Sequence, residues 1–183
     1  QPTGGTNFNN VADAFTEMNT CGIVGPVIIE LVDTLYQDSL IIGNIPGLSP
    51  TNTLTIKPQA GKQVKIKSTK SYAIKLLATH DIIIDGSGDG SGSKDLTISI
   101  SATTGSHAPI IIASAGAGQG SKRIIIKNVN ITAGHNGNTT SGIFIGASAI
   151  NTAGFDNDSI IINNVHIRKA YYGVYSYGNS ATN

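Results

Sequence analysis

Arg123-Ile124-Ile125-Ile126-Lys127-Asn128-Val129-Asn130-Ile131 joins a β-branched run, a polar break and a second short apolar alternation. Near-copies stand at Asp81-Ile82-Ile83-Ile84-Asp85-Gly86 and at Ser159-Ile160-Ile161-Ile162-Asn163-Asn164-Val165-His166-Ile167. Three isoleucines are too few for a helix and favour extended backbone, because branching at Cβ restricts χ1 and suits a pleated surface. Ile82, Ile124 and Ile160 are spaced by 42 and then 36 residues, within the period range of stacked repeats. The phrase speaks for architecture first and for chemistry second.

Composition points the same way. The 183 residues include 22 Gly, no Trp and one Met, and only 13% are charged. Ordinary chains carry about 25% charged residues. An Ile/Asn/Gly/Thr-rich chain of this kind reads as strands and tight turns. Its length is enough for one continuous core. A net charge of +1 supplies no field to attract nucleic acid or acidic membranes, so neither is expected as a partner. Lys57, Lys62, Lys65, Lys67 and Lys70 form a mild cluster, read as a solvated strand face in preference to a polyanion site. Cys21 is alone, which excludes a disulfide framework, and is expected to be a small buried apolar residue. No segment is long enough to span a bilayer. No signal peptide is visible, and Gln1 as first residue fits its removal or a cloning boundary equally.

One amphipathic helix is predicted over residues 7–20, with Phe8, Val11, Phe15 and Met18 as its stripe, Asn7 as cap and Gly22 as its end. It is expected to cover the first coil's unpaired edge, making residues 1–26, with a helix at about 8–20, an N-terminal cap. Beyond it, strands are predicted at 27–32, 40–43, 53–57, 64–67, 73–77, 81–85, 96–100, 110–113, 123–127, 129–131, 142–145, 159–163, 165–167 and 173–176. Such density suits a sandwich, a barrel or a solenoid. The recurring phrase favours the solenoid, with each copy at the same corner of successive coils. Asn128 and Asn164 then align between two short strands and can hydrogen-bond up the stack, a structural role. Segments 86–93, 113–120, 132–141 and 147–158 read as loops leaving the coil. After the Tyr171–Tyr177 strand no capping helix or charged edge follows. Residues 27–183 are therefore expected to be coils that continue beyond the C-terminus, or whose open end a neighbouring copy covers.

Several phrases resemble a known module: residues 4–15, 21–27, 53–58, 81–87, 93–98 and 169–175, in that order. The chain is similar, over nearly its whole length, to the right-handed parallel β-helix of pectin-lyase-like type found in large secreted surface proteins of Bacteroidota-type bacteria. The resemblance implies an all-β, right-handed parallel β-helix with one N-terminal capping α-helix, a secreted or outer-surface location and export by the type IX route. It also implies following coils or modules of the same chain as partners, adhesin-like. It says little about activity.

The resemblance also raises two chemistries, since related β-helices include polysaccharide lyases and hydrolases. A hydrolase needs converging carboxylates, one protonated and one ionised. The equivalent positions Asp85, Lys127 and Asn163 build no such column. If the chain is an enzyme, the candidates are Arg168, as a lyase base, and His135. The alternative for His135 is a loop histidine. No cofactor is expected, although a structural calcium has candidate ligands in Asp85, Asp89 and Asp95, or in Asp156 and Asp158. Calcium wants six to eight oxygens, and the preferred reading of both segments is turns whose Asp and Asn side chains bond their own backbone. The Gly86–Gly92 run is not followed by the helix and Lys-Ser/Thr of a phosphate loop. Tyr172, Tyr175 and Tyr177 are the ligand-binding candidates, suited to stacking on sugars or to lining the next core layer. The expected function is a non-catalytic secreted or cell-surface module, a stalk that contacts glycans. The alternatives are a polysaccharide lyase or hydrolase, and a self-assembling filament subunit.

Overall fold

The computed structural model describes residues 7–37 and 39–179. The first six residues of the expected 1–26 cap and the last four of the 27–183 stretch lie outside the described residues. Among the described residues, helix α1 (Val11–Cys21) precedes fifteen strands wound three to a coil. The first coil is β1 (Val27–Leu31), β2 (Leu35–Tyr36) and β3 (Leu40–Ile42). The second is β4 (Leu54–Pro58), β5 (Val64–Ser68) and β6 (Ile74–Leu77), the third β7 (His80–Asp85), β8 (Leu96–Ile100) and β9 (Ile110–Ser114). Then come β10 (Lys122–Lys127), β11 (Val129–Thr132) and β12 (Ser141–Ala147), and finally β13 (Asp158–Asn163), β14 (His166–Arg168) and β15 (Tyr172–Ser176). They form three parallel five-stranded sheets, ordered β1-β4-β7-β10-β13, β2-β5-β8-β11-β14 and β3-β6-β9-β12-β15. The fold is an all-β parallel solenoid, as the repeated phrase predicts.

Register explains the repeat. Leu54, Ile82, Ile124 and Ile160 are partners, as are Ile56, Ile84, Ile126 and Ile162. In the second to fourth coils both columns point inward and are fully buried. Between them Ile83 and Ile125 face outward, because side chains alternate along a strand. The middle residue of each triple therefore never joins the core. One residue before each triple, Asp81, Arg123 and Ser159 all take the left-handed backbone, with φ of 58°, 52° and 55°. The last coil is less enclosed: Ile160, Ile162, Val165 and Ile167 are only partly buried and Val174 is exposed.

Helix α1 closes the other end, burying Val11, Ala14, Phe15 and Met18 against the core. Its cap is Asn10, where residue 7 was expected. Asn10 is extended (φ −150°, ψ 165°) and its side chain accepts from the Asp13 amide at 2.8 Å while its Nδ2 donates back to Asp13 at 2.9 Å. That reciprocal pairing starts the helix one turn later than the apolar stripe implies and leaves Phe8 outside it, exposed. Cys21 is exposed, contrary to expectation. The helix ends there, Gly22 turns the chain at φ 69°, and Ile23 takes the buried place. The two-residue strand β2 had too short an alternation to be read from the sequence.

Candidate functional site

At the asparagine corner two side chains meet across adjacent coils. Asn128 and Asn164 adopt φ of 57° and 51°, which asparagine tolerates better than most residues. Asn164 Nδ2 donates to Asn128 Oδ1 at 2.8 Å, and Asn128 Nδ2 donates to Asp85 Oδ1 at 2.8 Å. Lys127 Nζ meets the other Asp85 oxygen at 3.1 Å. Burial alone would raise the Asp85 pKa, but its bonds from Asn128, Ser87 and Lys127 outweigh that and hold it low. Gly86 is required at this corner, since a Cβ there would lie 1.8 Å from the Asn128 carbonyl oxygen.

The calcium candidates are engaged by the protein itself. Asp85, Asp89 and Asp95 are held within their own loop, but Asp156 and its neighbour Asn157 are held by other segments, where the sequence reading preferred a turn bonding its own backbone. Asp85 accepts from the Ser87 amide at 3.0 Å, Asp89 from the Ser91 amide at 2.9 Å, and Asp95 from the Ser93 hydroxyl at 2.6 Å. Asp156 accepts from the Gly118 amide and Asp158 from the Ser159 hydroxyl. Among the described residues no group of three or more His, Cys, Asp or Glu is placed to hold a metal ion.

His135 and Arg168 sit in separate local networks. His135 Nδ1 accepts from the Gly137 amide at 2.9 Å, so Nε2 carries the hydrogen and donates to the Gly105 carbonyl at 3.2 Å. With its lone pair engaged, this ring braces a loop. Arg168, on the outer face of β14, lies along His166 with Nε 3.3 Å from the ring Nε2.

The tyrosines come together on the outer face of the third sheet. Tyr172 and Tyr175 are stacked, with centroids 5.0 Å apart and planes 23° from parallel, and Tyr175 and Tyr177 follow at 6.0 Å and 27°. Tyr171 stands edge-on to Tyr172 at 4.7 Å. The row lies over a second apolar cluster, outside the coil, made of Ala108, Ile111, Ala113 and Phe144 with Tyr72, Leu77, Ile150 and Tyr175 packed against it. Lys75, Ile111, Phe144 and Tyr175 are successive register partners, an outward column running across four coils. The sequence reading missed Lys75 and Phe144. Their signal was present: Phe144 sits between inward Ile143 and Ile145, so alternation alone turns it outward. Lys75 clasps the 147–157 loop, donating to the Ser148 carbonyl at 3.0 Å above the Tyr72 ring, 4.3 Å from its centroid. Burial lowers its pKa.

Where the row ends, a cleft of about 200 Å³ opens between residues 154–157 and 176–179, lined among others by Phe155, Asp156, Tyr177 and Asn179. Its two sides are zipped by backbone bonds, Gly154 N to Tyr177 O and Asn179 N to Gly154 O, both 2.8 Å. Two further features escaped the sequence reading. Asp81, 3% exposed at its side chain, receives Arg123 through two 2.7 Å bonds and also contacts His80. His107 is buried edge-on to His135 at 4.6 Å, with its Nε2 unpartnered among the described residues. Comparison with protein-family models, with curated proteins and with solved structures finds no match for this chain.

Proposed function

We infer that this chain is a non-catalytic, secreted or cell-surface β-helix module, an adhesin-like stalk that contacts glycans through its tyrosine row. The observation that carries this reading is the exposed run of stacked rings on the outer face of the third sheet, Tyr172 and Tyr177 being 41% and 42% exposed. Tyr172 and Tyr177, exposed outside the coil, combine apolar area with hydroxyl tips, which suits the C–H faces and hydroxyls of sugars. Stiffness is supported by the stacked register of all three sheets, by the asparagine ladder and by the ion pairs that join neighbouring coils. The non-catalytic part rests on His135 and Arg168 each being held in its own local network. Surface location, type IX export and kinship with pectin-lyase-like modules belong to this proposal through the resemblance of the motifs.

The test is equilibrium binding of the chain to soluble oligosaccharides by calorimetry. Micromolar-to-millimolar binding that weakens about tenfold on Tyr177→Ala is expected. Absence of binding across neutral and acidic oligosaccharides would remove the glycan contact.

A second reading has one observation of its own. Ile160, Ile162, Val165 and Ile167 on the last coil are more exposed than their fully buried or nearly buried equivalents one coil earlier, while α1 covers the opposite end. An open edge of this kind accepts a further coil, from the same chain or from a neighbouring copy. Ordered assembly of the isolated chain, read by light scattering and electron microscopy, would support it. A monomer at all concentrations would count against the neighbouring-copy form.

A further inference from the structure

We propose that the glycan-contacting reading resolves to one subsite: the cleft at the end of the tyrosine row binds a neutral pyranose between Phe155 and Tyr177, with Asp156 and Asn179 receiving its hydroxyls. The inference rests on the proposed glycan contact and narrows it. Stacked rings cover one another's faces, so Tyr175, between Tyr172 and Tyr177, has none to offer. At the other end Tyr172 is paired edge-to-face with Tyr171 and lies away from the cleft. Tyr177 ends the row and lines the cleft together with a second aromatic residue, Phe155, which is 37% exposed. The cleft, about 200 Å³, holds far more than one water and is on the scale of a single sugar ring.

The polar groups fit the same ligand. Asp156 is held at φ 54°, a left-handed position for a residue with a side chain, and one of its carboxylate oxygens is fixed by the Gly118 amide. The Asp156 and Asn179 side chains are exposed at the cleft. The surrounding chain is preorganised. A Cβ on Gly120 would lie 1.9 Å from the Asp156 carbonyl oxygen, and Asn157 ties the loop to the coil through Ser121 N at 2.9 Å and Gly146 O at 2.9 Å. A carboxylate accepts hydrogen bonds from hydroxyls and repels another carboxylate. The site therefore takes neutral sugars and disfavours uronates, the opposite of what an acidic-polysaccharide site would do.

The experiment is calorimetric titration of the chain with neutral gluco-, manno- and galacto-oligosaccharides and with an oligogalacturonate at low salt. At least one neutral series should bind about tenfold tighter than the uronate. Asp156→Asn should narrow that gap, Tyr177→Ala should weaken neutral binding about tenfold, and Tyr172→Ala should change it less than about twofold. Tyr177→Leu, which keeps apolar bulk, should also weaken binding with the melting temperature unchanged, separating loss of the ring from loss of fold. Equal losses from Tyr172→Ala and Tyr177→Ala would overturn the cleft and leave the row-wide glycan reading standing. Tighter binding of the uronate would overturn the neutral-sugar assignment alone. No binding of any series would overturn both.

Discussion

Ile126 and Ile162 are register partners in adjacent coils, each the last of three isoleucines and each two residues before an asparagine, yet one is fully buried and the other only partly. The asparagines at the next corner differ in the same sense. Asn128 is bonded on both sides, to Asp85 and to Asn164, whereas Asn164 is exposed and reaches only back, to Asn128 and the Gly86–Lys94 loop. Residue type does not distinguish these pairs. In a solenoid each coil contacts only its neighbours, so a side chain's stabilising effect depends on whether a coil stands on both sides of it.

The sharpest test of that comparison is a pair of truncations. Ile126→Ala should destabilise the chain by about 4 kcal/mol and Ile162→Ala by about 1–2 kcal/mol, because only the first leaves an enclosed cavity. Denaturant unfolding followed by circular dichroism measures both. Equal losses would mean that the last coil is as tightly enclosed as the interior and would break the comparison.

A smaller difference is expected at the corner. Both substitutions leave alanine in the left-handed region, but Asn128→Ala also loses the part-buried bond to Asp85 and should cost about 2 kcal/mol, whereas the bonds of Asn164 are all exposed and Asn164→Ala should cost about 1 kcal/mol. The same unfolding assay decides it, and a reversed order would show that the ladder is anchored from its exposed end.

The weakest effects are those of pH, and both come from interior coils. Hydrogen bonds from Arg123 first, and then from His80, outweigh burial and hold the Asp81 carboxyl below the ordinary carboxylate range. A depressed folded pKa means the unfolded chain binds the proton more readily. The stabilisation is therefore present above about pH 4 and is lost as pH falls through the folded value. Burial, and then the nearby His135, push the His107 pKa down. Stability should already begin to fall below about pH 6.5, where the unfolded histidine takes up its proton. Melting temperatures from pH 7 to 3 should show both steps. His107→Gln should flatten the upper one and Asp81→Asn the lower one, and an unchanged profile in both variants would assign acid sensitivity elsewhere.

Much of the architecture was legible because it is local. Three branched residues force a strand, alternation sets which of them face in, and the identical spacing of polar closers sets the register. The ladder was legible for the same reason, since Asn128 and Asn164 follow the isoleucines at the same offset. The helix start was misplaced because the apolar stripe runs on past the residue that can cap it: Asn7 and Asn10 are chemically alike, and only Asn10 has Asp13 to return its bond. Cys21 is the last residue of the helix, and the turn at Gly22 hands the buried place to Ile23.

By itself, the sequence determined the coil, its inward columns, the turn residues at its corners and the presence of one covering helix, all consequences of side-chain branching and of period two or 3.6. Tertiary structure alone decided which outward groups meet. The Asp81–Arg123 pair joins residues 42 apart, Lys75 clasps Ser148 across 73 positions, and the cleft unites a loop with the end of β15. Such contacts depend on how far one coil advances before the next begins. That advance is set by loops of unequal length, which no local pattern encodes.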